Sequence, residues 1–79
     1  MLITILFFGA AAEAVGARET DLGYRPEETV SDLVGRVREK FPVLREMKLL
    51  VARQHRYAAE NEMVEPSDEI ALFPAVSGG

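Results

Sequence analysis

Two glycines, Gly78 and Gly79, close the chain, separated from Phe73-Pro74 only by Ala75, Val76 and Ser77. Without a Cβ, each reaches backbone conformations closed to other residues and passes through a channel too narrow for any side chain. Pro74 to Gly79, extended, reach roughly 20 Å, enough to place the terminal carboxylate deep inside a partner while the folded body stays outside. A carboxylate with a pKa near about 3.5 is ionised and a poor electrophile. Activated, for example as an acyl-adenylate made from ATP by another enzyme, it becomes reactive. Attack by a sulfur donor then gives a thiocarboxylate, and attack by an amine gives an amide. The first outcome describes a sulfur carrier, the second a protein tag. Neither needs catalytic machinery in the carrier itself.

Other residues of chemically useful type are poorly arranged. His55 is the only histidine and there is no cysteine, so a metal site of the usual nitrogen and sulfur ligands is not expected. Ser31 and Ser77 have no histidine at motif spacing, which leaves a nucleophilic triad unsupported. Glu60, Glu62 and Glu65 read as a solvated acidic loop before a cation site. Gly9 and Gly16 stand alone and make no phosphate-cradling loop.

The elements that position the terminus can be read from periodicity. In residues 2–8, Ile3, Ile5 and Phe7 fall on one face as core, and Leu2, Thr4, Leu6 and Phe8 on the other. Ala10 to Val15 predicts a short helix with Gly16 as a left-handed stop. Glu19 to Tyr24 is a second strand with Leu22 and Tyr24 on one side. Thr29 caps a long helix, with Asp32 completing a weaker capping box. Val30, Leu33, Val34, Val37 and Phe41 form its buried stripe, and Asp32, Arg36, Glu39 and Lys40 its solvent side. Gly35, at roughly 1 kcal/mol against alanine, has no explanation in this pattern beyond close packing or tolerance. Phe41-Pro42 ends the helix. Leu49 to Ala52 is a third strand, Arg53 to Arg56 continues it or turns, and Tyr57 to Ala59 forms a short strand. Pro66-Ser67-Asp68 is a turn. Glu69 to Phe73 is the last strand, with Ile70 and Leu72 inward and Glu69, Ala71 and Phe73 outward. Pro74 is expected to stop pairing. One long helix packed on one face of a mixed sheet, with a short helix after the first strand, makes the fold α+β. Residues 1–74 form one domain and residues 75–79 a flexible tail. Phe8, Tyr57 and Phe73 would meet on the exposed sheet face beside that tail as a docking patch.

Charge is unevenly placed. Residues 1–35 sum to −4, residues 36–56 to +5 and residues 57–79 to −5. The acidic last stretch, taken to surround the functional end, predicts a partner with a basic rim. An acidic chain with a short basic middle is not expected to bind nucleic acid. The opening apolar run lacks a basic leader and a cleavage site and reads as a core strand. No apolar run approaches membrane-span length. A cytoplasmic protein without membrane association is expected.

The residues Leu6-Phe7-Phe8-Gly9, Glu13-Ala14-Val15-Gly16 and Asp68 through Gly79 resemble the small subunit of molybdopterin synthase, a family of the ubiquitin-like β-grasp fold. The resemblance spans nearly the whole chain and is most diagnostic at its end. It implies a non-catalytic carrier whose Gly79, preceded by Gly78, is adenylated by an activating enzyme related to ubiquitin-activating adenylyltransferases. A sulfurtransferase donor then yields the thiocarboxylate. The tail enters the large subunit, where the active site lies, and gives sulfur to cyclic pyranopterin monophosphate to form the molybdopterin dithiolene. Phe8, Tyr57 and Phe73 match the family's docking positions, and Pro74, Val76 and Ser77 are implied partner contacts. No metal and no permanently bound cofactor are implied, ATP being used by the activating enzyme. The implied assembly has two small and two large subunits. Departures from the family's pattern are Ala12 before Glu13, Arg53-Gln54 in place of Val-Asn, Ser67-Asp68 in place of Gly-Asp, and Ala75 in place of a second proline. A sulfur carrier for thiamine or tRNA thiolation, a ubiquitin-like modifier, and an interaction domain with incidental glycines are the alternatives. The helix at residues 10–16 favours the molybdopterin reading over the thiamine one.

Overall fold

The computed structural model describes residues 1–75. Its elements run β1 (Leu2–Phe7), α1 (Gly9–Val15), β2 (Glu19–Gly23), α2 (Val30–Lys40), a 3-10 turn (Pro42–Leu44), β3 (Leu49–Arg53), β4 (Arg56–Tyr57) and β5 (Glu69–Pro74). The strands form one sheet in the order β2-β1-β5-β3-β4. β1 and β5 pair in parallel at its centre, while the β1–β2, β3–β5 and β3–β4 pairs are antiparallel. This is the expected α+β arrangement, the ubiquitin-like β-grasp.

Alternation in β1 and β5 sends Ile3, Ile5, Phe7, Ile70 and Leu72 into one core with Val30, Leu33 and Val37 of α2. Phe41 closes it with its ring edge-on to Phe7, centroids 5.5 Å apart. Each fully buried side chain of this size contributes roughly 1.5–3 kcal/mol, so this cluster is the main source of stability in a chain without disulfides. Leu44 in the 3-10 turn and Val64 in the loop before β5 complete it. Those two contributions were hidden in the sequence, because neither sits in a periodic segment.

The capping box at α2 is complete: the Asp32 amide donates to Thr29 Oγ1 (3.2 Å) and the Thr29 amide to Asp32 Oδ2 (3.1 Å). Arg36 departs from the expected solvent face. It is half-buried, donates to the Gly23 carbonyl from both terminal nitrogens, and pairs with buried Glu28 at 2.9 Å. Its long stem lets the charged head leave the helix surface for those partners.

Boundaries shift around the β3–β4 turn and at the end of β5, besides one-residue shifts at the start of α1 and the end of β2. β3 runs through Arg53, and Gln54-His55 form the two-residue connection to β4, with φ of 51° and 66°. β4 is Arg56–Tyr57, not Tyr57 to Ala59, although the Ala58 amide still donates to Val51 (2.9 Å). Pro74 does not stop pairing. It sits opposite Leu49, and the Ala75 amide donates to the Lys48 carbonyl at 2.9 Å. The reason is alternation: Leu72 directs its carbonyl to Phe8 of the β1 side, so the donor that Pro74 lacks also faces that side. There the chain has already turned into α1.

Candidate functional site

The sheet face away from α2 carries the residues expected to dock a partner. The register aligns Leu6, Ala71, Ala52 and Tyr57 across β1, β5, β3 and β4, and sets Phe73 opposite Leu50 in the next row. Tyr57 and Phe73 pack together, centroids 5.7 Å apart and rings tilted by 51°. Tyr57 is 73% exposed and Phe73 half-buried against it. Phe8 is 50% exposed and its amide donates to Leu72 (3.0 Å), which holds it beside β5. Its ring makes no aromatic pair with Phe73 or Tyr57 among the described residues. The three predicted positions therefore share one face, with two in contact and the third flanking.

Leu50, exposed between Phe73 and the sheet edge, belongs to the same patch and was missed. In Leu49-Leu50-Val51-Ala52 every residue is apolar, so alternation leaves the outward ones unmarked. The register with Phe73 is what identifies it.

The tail leaves from this face's upper end. Gly9 takes φ 56° at the turn from β1 to α1, and a Cβ there would lie 3.7 Å from Pro74 Cδ. The left-handed conformation is the reason this position favours glycine, since a Cβ would meet Pro74 only at an ordinary contact distance. Pro74 is half-buried. Val76, Ser77, Gly78 and Gly79 lie outside the described residues.

The acidic stretch does not surround the tail's exit, which corrects the expectation built on chain segments. Glu65 and Asp68 stand just before β5, whereas Ala75 follows it, a separation of roughly 20 Å along a strand of this length. Beside the exit stands Lys48. Much of the acid is also neutralised internally. Asp68, buried to 3%, accepts from Arg53 Nε, from Gln54 Nε2 (3.1 Å) and from the Glu65 amide (2.8 Å). Arg53 reaches Glu62 at 3.4 Å and Glu65 at 3.3 Å as well. The Arg53 pKa is raised, chiefly by the Asp68 hydrogen bond and against the opposing pull of desolvation, so its charge persists. The Arg53-Gln54 departure thus joins Asp68 in one polar cluster that ties the β3–β4 connection to the start of β5.

His55 is exposed on that connection. Among the described residues no group of three or more histidine, cysteine or acidic side chains could hold a metal, and no helix is long and apolar enough to cross a membrane.

Comparison with known proteins agrees with this geometry. The chain is 32% identical over 81 aligned positions to a molybdopterin synthase sulfur carrier subunit of Caenorhabditis briggsae, covering 98% of this chain and 96% of that protein. Its fold matches SAMP1 of Haloferax volcanii, a small archaeal modifier protein, with a TM-score of 0.88, 28% identity and full coverage of both chains. It also matches, at a TM-score of 0.68 and 20% identity with all of both chains covered, a structure of subunits 1 and 2 of the molybdopterin-converting factor of Helicobacter pylori in complex. The ThiS family model matches residues 5–79. That match spans nearly the whole chain and the grasp fold described above, so the chain belongs to the ThiS family.

Proposed function

We propose that this chain is the sulfur carrier subunit of a molybdopterin synthase, with Gly79 as the carrying residue. The observation that carries the reading is the outer face on which exposed Phe8, Leu50 and Tyr57 flank half-buried Phe73, at the end of the sheet where β5 runs on toward Gly78-Gly79 in sequence. The body docks through that face, and Pro74, Val76 and Ser77 line the path of the tail into the large subunit. The relatives' names support the assignment to this pathway.

The chemistry is borrowed at each step. An activating adenylyltransferase joins the Gly79 carboxylate to the AMP moiety of ATP, releasing pyrophosphate. A sulfurtransferase's persulfide sulfur then displaces AMP, and reduction of the resulting acyl disulfide by a thiol frees the thiocarboxylate. In the large subunit that sulfur passes to cyclic pyranopterin monophosphate, and hydrolysis returns the carboxylate. The carrier contributes reach and a surface, with no acid, base or metal of its own. Residues 1–74 act as the docking body and residues 75–79 as the delivered segment.

Deleting Gly79, or adding one residue after it, should abolish sulfur transfer to the pyranopterin while the amide NMR spectrum of the body stays unchanged. Full transfer by either variant would refute the tail mechanism. Similarity to the archaeal modifier favours one second reading, a protein tag. Attachment of Gly79 to lysines of other proteins, in place of sulfur release, would select it.

A further inference from the structure

Gly35 is unexplained by the fold. It lies in the middle of α2, where glycine is roughly 1 kcal/mol worse than alanine, and a Cβ built on it meets nothing within 4 Å. No close packing within the described residues requires it. It lines a groove of about 350 Å³ between α2 and β3, with Val30, Val34 and Arg38 along the helix side and Leu49 and Val51 along the strand side.

Two further features of this groove are unfinished. β3 pairs fully with β5, but β4 covers only Ala52 and Arg53. Lys48 and Leu50 direct their backbone groups to β5, so those of Leu49 and Val51 point to the open edge. There the Val51 carbonyl accepts from Ala58, while the Val51 N–H and both Leu49 groups have no backbone partner among the described residues. Arg38 donates to the Arg45 and Met47 carbonyls, its Nε has no acceptor, and no described carboxylate pairs with it. At the groove's other end the Glu60 carbonyl holds the Ser31 amide, which places the Glu60 side chain near the start of α2.

We infer that this groove receives an extended segment of a partner protein, added as a strand to the Leu49–Val51 edge. The partner backbone passes over Gly35, whose missing side chain gives it room, and an apolar side chain lies on half-buried Val34. α2 runs antiparallel to β3, since Ser31 lies at the Val51 end and Arg38 reaches Met47 just before Leu49. A strand antiparallel to β3 therefore begins near Glu60 and ends near Arg38. Charge complementarity asks for a basic residue at its start and a carboxylate at its end. Val30 to Arg38 span about 12 Å of helix, matching four or five strand residues.

The inference does not depend on sulfur transfer, and its test involves none. The probe is a capped pentapeptide with serine at even positions and lysine, valine, glutamate at odd ones, titrated into the full ¹⁵N-labelled chain. Saturable shifts are expected at the Leu49 and Val51 amides and along Val30 to Arg38. A peptide with lysine and glutamate exchanged should bind several-fold more weakly. Gly35→Leu, which places a strong helix former in open space, should keep the native spectrum and reduce affinity by at least about tenfold, or 1.4 kcal/mol. Absence of shifts up to the peptide's solubility limit, equal binding of both peptides, or shifts centred on Tyr57 and Phe73 would each overturn the inference. So would shifts at the groove that follow protein concentration alone, which would assign it to a second copy of the chain.

Discussion

Tyr57 leaves most of its ring in solvent, yet it rests on Phe73 beside the strand that leads to the tail. A residue so placed adds little to folding and much to a buried contact. Tyr57→Ala should weaken association with the proposed large-subunit partner by about 2 kcal/mol, the scale of an aromatic hot spot, while stability stays within about 0.5 kcal/mol. Isothermal titration and thermal melts separate the two effects. Phe73→Asp should weaken docking further without unfolding, because the ring lies on the outer face; unfolding would mean the strand faces are misassigned. Asp68 is the opposite case. Its buried carboxylate serves Arg53, Gln54 and the Glu65 amide at once, so Asp68→Ala should destabilise by about 3 kcal/mol in urea, as breaking one side of a buried pair does. Glu65→Gln, removing a mostly exposed partner, should change stability by less than about 1 kcal/mol. The aromatic positions were legible because each stands out against a strand's alternation. Asp68 was not, because its partners come from 14 and 15 residues away and nothing local marks that contact.

At the scale of elements, the turn between β3 and β4 holds two non-glycine residues at positive φ. His55 is exposed there, and an L-residue in that region carries roughly 1–2 kcal/mol of strain. His55→Gly should therefore raise stability by about 1 kcal/mol in chemical denaturation, less the entropy that glycine adds to the unfolded chain. An unchanged or lower stability would mean that the imidazole makes a compensating contact. The same turn explains why the hairpin was hard to read: Gln54-His55 lacks the Asn-Gly or Asp-Gly signal. By contrast α2 was legible through its stripe and its capping residues, which are local signals. The pairing of Pro74 was not, since whether a proline ends a strand depends on which neighbour its missing donor faces.

For the whole molecule, the sheet order decides what the sequence left ambiguous. The run of β5 between β1 and β3 sets Asp68 at one end and Ala75 at the other, a separation that chain segments could not reveal. It also gathers Phe8, Leu50, Tyr57 and Phe73, which are scattered over 66 positions of sequence numbering from 8 to 73, onto the face beside the exit. The central claim is that Gly79 bears the transferred sulfur, and intact-mass spectrometry of the full chain tests it most directly. After incubation with ATP, an activating enzyme and a sulfurtransferase, the protein should gain the mass of one sulfur-for-oxygen exchange, located by fragmentation at Gly79. An unchanged mass under conditions that thiocarboxylate a relative from the same family would contradict it.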